Sequence, residues 1–132
     1  MAATKVDEDE KVAFELQERL LMSHQTLARL QNQDLSAVRR KKQVELMISE
    51  MKALPDNTVM YKSVGKAYFL SPKTDLVSEA EGTVQAVSTE IESIKTQRGV
   101  VEQKLKETEG ELRELITSHP ELRRQLTNVR VA

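Results

Sequence analysis

Two long runs of this chain repeat apolar residues in alternating steps of three and four. The first is Ala13, Leu16, Leu20, Ser23, Leu27, Leu30, Asp34, Ala37, Lys41, Val44, Ile48 and Met51, apolar at nine of twelve positions. The second is Val77, Ala80, Val84, Val87, Ile91, Ile94, Arg98, Val101, Leu105, Thr108, Leu112 and Leu115, apolar at ten of twelve. Such steps average 3.5 residues, the period of a coiled-coil seam. An ordinary amphipathic helix in a bundle is the alternative, and an unbroken repeat with no internal proline disfavours it. Gly82, Gly99 and Gly110 fall off the seam, so they weaken the second helix without removing an interface side chain.

Pro55 ends the first run and Pro72 precedes the second. The pattern predicts a helix over residues 9–53 and another over 75–118, with Thr74 or Asp75 as the second N-cap. Each would be about 65 Å long at 1.5 Å per residue. Equal lengths and a short connection imply an antiparallel pair. Ala13 with Leu115, Leu30 with Arg98, and Met51 with Val77 are each placed symmetrically about residue 64, beside Gly65. In that register Asp34 and Arg98 occupy adjacent layers, where they would either pair across the seam or snorkel outward. At Ser118–Glu121 a capping-box spacing around Pro120 predicts a break, after which Leu122, Leu126 and Val129 continue the apolar phase.

The connection "NTVMYKSVGKAYFLSPK" (57–73) holds both tyrosines and one of the two phenylalanines. Its β-branched and aromatic residues around Gly65 predict a hairpin over 57–72. Pairing Val59 with Leu70, Met60 with Phe69 and Tyr61 with Tyr68 gives one face of Val59, Tyr61, Tyr68 and Leu70. The other face carries Met60, Ala67 and Phe69, with Val64 beside the turn. Two apolar faces need cover on both sides. A lone two-stranded hairpin is marginal, and its open edges invite further strands. The hairpin therefore reads as an assembly element, incomplete within one chain.

Composition narrows the function classes. Net charge is −1, and neither helical arm is basic, so no stripe exists to neutralise nucleic-acid phosphates. There is no cysteine. The acidic N-terminal "TKVDEDEK" does not fit a signal peptide, and no apolar run approaches the length of a membrane helix. "SVGK" lacks the spacing of a phosphate loop. His24 and His119 have no metal-ligand spacing. "RRKK" (39–42) reads as mixed structural surface, since Lys41 lies on the seam. No enzyme chemistry and no cofactor is expected.

The long helix, the hairpin "MYKSVGKAYFL" and the second long helix resemble the β-type subunits of prefoldin over about residues 10–118. The hairpin is the specific part of the likeness. The resemblance implies a single mainly α domain over 1–132: a long antiparallel coiled-coil hairpin whose central β-hairpin joins an oligomeric β-barrel platform. It implies a cytoplasmic heterohexamer of α-type and β-type subunits and an ATP-independent chaperone. Unfolded clients of the actin and tubulin type would be held at the coiled-coil tips and passed to the group II chaperonin. Val59, Met60, Tyr61, Val64, Gly65, Tyr68, Phe69 and Leu70 would serve assembly. Phe14, Leu21, Met22 and Ile116, all off the seam, would join Leu122 and Leu126 in an exposed apolar tip. Leu46 and Met47 would pack on the platform. A generic coiled-coil tether without chaperone activity is the rival reading, against which a two-faced apolar hairpin argues.

Overall fold

The computed structural model describes residues 2–121, with side chains from residue 8 onward. Four elements follow in order: α1 (Ala2–Ala53), β1 (Met60–Val64), β2 (Ala67–Ser71) and α2 (Lys73–Ser118). The α1 helix starts seven residues earlier than the seam pattern predicts, because no proline or glycine interrupts the residues before the first seam position. The α2 helix starts at Lys73 rather than residue 75. Its first internal bond runs from the Leu76 amide to the Pro72 carbonyl (3.1 Å), so Pro72 occupies the cap position expected of Thr74 or Asp75. Asp75 instead lies in the first turn, where its carboxylate favours the helix dipole.

All 24 seam positions are buried or half-buried, and most other helical positions are exposed. Backbone contacts cluster into two compact units, one built from the segments up to Gln31 and from Gln97 onward, the other from Asn32–Thr96. The sequence expectation is one domain.

In the first unit Ala13, Leu16, Leu30 and Thr108 are buried. Ala13 packs against Leu112, Leu115 and Ile116, which matches the expected Ala13–Leu115 layer. Thr108 is tolerated in the seam because its hydroxyl donates to the Lys104 carbonyl (2.8 Å), leaving no bare polar group. Arg19 and Glu111, 3.8 Å apart and exposed, flank the seam and contribute little in water. The last turn of α2 closes with a bond from the His119 amide to the Leu115 carbonyl (3.0 Å). Pro120 and Glu121 then form a turn, as the capping-box spacing predicts. His119 Nε2 lies 2.6 Å from Asp9 Oδ2, with both side chains largely covered. Arg98 is half-buried at its seam position.

In the second unit Ala37, Ala80, Val87 and Ile94 form the buried layer. Asp34 is half-buried at its seam position. Of the basic run 39–42, Arg40 pairs with Glu90 (2.9 Å) and Lys41 sits 4.0 Å from Glu45. The Arg40–Glu90 pair is symmetric about residue 65, one position from the fold point read from the sequence.

The hairpin pairs in a different register from the one predicted. Met60 faces Ser71, Tyr61 faces Leu70, Lys62 faces Phe69, Ser63 faces Tyr68 and Val64 faces Ala67. Gly65 and Lys66 make a two-residue turn, with Gly65 at φ 60° and no positive φ at any other described residue. A positive φ at the first central position alone is the signature of a type II′ turn, whose twist suits a tight hairpin. That geometry moves the pairing by two residues, with Val59 just outside β1. A shift of two preserves which face each side chain occupies. Tyr61, Tyr68 and Leu70 therefore still share one face, now with Ser63. Met60, Ala67 and Phe69 share the other with Lys62 and Val64.

Candidate assembly and client-binding surfaces

The hairpin presents its apolar residues to solvent. Of the eight predicted assembly residues only Met60 is half-buried; Val59, Tyr61, Val64, Gly65, Tyr68, Phe69 and Leu70 are exposed. Tyr68 is 72% and Leu70 70% exposed. Side chains of this kind on both faces of a two-stranded sheet form a contiguous patch of the sort that marks a protein interface. The pairing of β1 with β2 uses one edge of each strand. The other edges offer backbone donors and acceptors to further strands.

Two lysines make contacts around this sheet. Lys62 on β1 donates to Glu79 Oε1 on α2. Lys73, the first residue of α2, reaches back to the end of α1. Its ammonium donates to the Leu54 carbonyl (2.7 Å), the Lys52 carbonyl (3.4 Å) and Asp56 Oδ1 (3.1 Å). A helix ends with unsatisfied carbonyls and a partial negative charge, and a cation there answers both. The Lys73 side chain is only 13% exposed, whereas Asp56 is fully exposed. The main-chain oxygens are therefore the partners that the enclosed ammonium depends on. Lysine after proline at a helix start reads as ordinary solvated charge, so the sequence pattern does not single it out. The available signal is the fold point itself, which brings residue 73 back to residue 54.

The second candidate surface lies in the first unit. Phe14 and Leu21, one heptad apart on α1, are 55% and 59% exposed, and Met22 is 61% exposed. Glu8, Glu15 and Glu18 are exposed among them. Ile116 departs from the expectation of a free apolar residue: it is half-buried against Ala13 and widens the seam. An alanine layer leaves room on its flank, which a neighbouring isoleucine fills. Leu122, Leu126 and Val129 lie outside the described residues. Leu46 and Met47, in the second unit, are exposed in this chain. Among the described residues no group of His, Asp and Glu is arranged to hold a metal ion, and no helix is long and apolar enough to cross a membrane.

Two long helices joined through an open-faced hairpin define a coiled-coil subunit whose sheet calls for neighbours. Residues 14–119 match the family described as "Prefoldin subunit". The chain belongs to that family, one of chaperones rather than enzymes, and is a prefoldin chaperone subunit. Among its relatives, Prefoldin subunit 1 of Arabidopsis thaliana is 31% identical over 124 residues, covering 93% of this chain and 97% of that protein. Prefoldin subunit 1 of Homo sapiens is 31% identical over 117 residues, covering 86% and 94%. The prefoldin beta subunit of Thermococcus strain KS-1 superposes with a TM-score of 0.73 at 20% identity, over 77% of this chain and 90% of that one. That likeness is one of fold.

Proposed function

We propose that this chain acts as a β-type subunit of a cytoplasmic prefoldin heterohexamer, in the position of subunit 1. Its hairpin joins those of α-type and β-type partners in a shared β-barrel platform. The observation that carries this reading is the hairpin itself, with exposed apolar side chains on both faces. A tether would need only a polar loop at this point.

The Phe14–Leu21–Met22 face, with Leu122 and Leu126, holds unfolded clients of the actin and tubulin type. Apolar side chains and an adaptable methionine suit partners without fixed shape. Clients pass to the group II chaperonin without nucleotide use. Co-expression with complementary prefoldin subunits tests the assembly: native mass measurement should find this chain in a six-subunit complex. A stable lone monomer indifferent to those subunits refutes it and favours the tether. For client handling, Phe14→Ser, Leu21→Ser and Met22→Ser combined should weaken suppression of client aggregation while assembly survives. Loss of assembly in that variant would overturn the separation of roles.

A further inference from the structure

On the outside of α1 in the second unit, Leu35, Arg39, Lys42 and Leu46 recur at steps of four, three and four. Such steps keep side chains on one helical face, here a stripe about 16 Å long that points away from the seam. Leu35 is 63% and Leu46 61% exposed, and Arg39 and Lys42 are exposed between them. Among the described residues neither of these two cations has a hydrogen-bond or ion-pair partner. Their sequence neighbours differ, since Arg40 pairs with Glu90 and Lys41 lies by Glu45. The acidic residues of α1 nearest the stripe are that Glu45, turned to Lys41, and Glu50, one turn past Leu46 and to one side. Met47 lies about 100° further round the helix and belongs to another face. The stripe thus carries apolar ends and a positive middle, none of which the fold of this chain uses.

We infer that this stripe docks an acidic amphipathic helix of another protein, with carboxylates on Arg39 and Lys42 and apolar side chains on Leu35 and Leu46. Apolar anchors at helical spacing suit a helix laid along α1. The step pattern reads the same from either end, so such a helix fits in both directions. A second copy of the stripe would set cation against cation. A nucleic-acid backbone would answer the cations but leave the leucines bare. The inference depends on neither the client-binding face nor the shared platform.

The probe is a fluorescent alanine-rich helical peptide with leucines at its first and twelfth positions and glutamates at its fifth and eighth. Its anisotropy is read with the complete chain, alone and assembled with complementary prefoldin subunits. Binding should saturate at micromolar concentration in both forms. Arg39→Glu with Lys42→Glu, and separately Leu35→Ser with Leu46→Ser, should each weaken it about tenfold, with the circular dichroism of the chain unchanged because all four positions are exposed. A peptide with serine in place of both leucines should lose affinity to the same degree. Absence of saturation overturns the inference. Equal binding of the leucine-free peptide does so too, by reducing the stripe to bare charge attraction, and equal binding of a single-stranded oligonucleotide would make it a phosphate surface. Binding to the lone chain but not to the assembled complex would make a neighbouring subunit the occupant and equally overturn it.

Discussion

Replacing Lys73 by methionine isolates the contact between the end of α1 and the start of α2. Methionine keeps most of the aliphatic stem but removes the ammonium that bonds the Leu54 and Lys52 carbonyls. A hydrogen bond to a charged group contributes about 1.5–3 kcal/mol when enclosed. Here one bond is short and the other long, and a cation beside a helix C-terminus adds about 0.3–1 kcal/mol. The freed carbonyls lie near a loop where water can partly replace the lysine. The expected loss is about 2 kcal/mol, or a fall in the thermal midpoint of roughly 6–8 °C for a chain of this size. Circular dichroism of the helical signal during heating reads it. Amide exchange should also quicken in the last turn of α1 and in β1, while the seam around Leu16 and Leu30 stays protected. Asp56→Asn is the companion variant. Asp56 is fully exposed, so its pair with Lys73 is screened by water and its removal should leave the midpoint unchanged. If the two variants destabilise equally, the carboxylate is the partner that matters. If Lys73→Met is neutral, the helix end is satisfied by solvent and the clasp is incidental.

Three further outcomes follow from positions described above. Gly65→Ala forces a side chain into the left-handed region at φ 60°, with no neighbouring atom within 4 Å to clash, so the loss is backbone strain alone. It should destabilise by about 1–2 kcal/mol in equilibrium unfolding, and an unchanged stability would mean that the turn adopts another form. Gly99→Ala fills open space on the outside of α2 and should stabilise by about 1 kcal/mol in the same assay; destabilisation would reveal a partner that approaches the backbone there. Leu30→Ala empties the one large side chain among the described residues that is almost fully enclosed, and urea unfolding should register a loss of about 2–3 kcal/mol. A loss below about 1 kcal/mol would place Leu30 outside the cooperative core.

The helical seam was legible because a period of 3.5 repeats often enough to outvote its polar members. Asp34, Lys41, Arg98 and Thr108 all lie in seam positions that are at least half-buried, despite their polarity. Helix starts were less legible. Burial periodicity says nothing about a polar first turn, and Pro72 serves as cap through its carbonyl rather than a side chain. In the hairpin, apolar alternation identifies the two faces but not the cross-strand partners, since a shift of two residues leaves the alternation intact. Turn chemistry decides between those registers, through the φ that Gly65 alone can adopt cheaply. On the candidate surfaces, exposure of Phe14, Leu21, Met22 and the hairpin aromatics matches their off-seam or two-faced placement. Ile116 does not, because its neighbour across the seam is alanine, and a small residue admits a flanking one. Lys73 was invisible for a different reason: its role depends on two carbonyls, which every residue has.

The seam pairs residues that lie far apart in sequence, and this bears on how quickly the chain can find its fold. The connection between Leu54 and Pro72, which carries the hairpin, must bring its ends together before the helices can pair. Once it has closed, each further seam layer lengthens the enclosed segment by only about seven residues, and loop-closure entropy grows slowly with length. Pairing can therefore proceed as a zipper from the Lys73 clasp, with every new layer held close by the one before. Sequence-distant partners of the same unit, such as Arg40 and Glu90, then meet without a separate diffusive search, so this unit should fold with the kinetics of a more local structure.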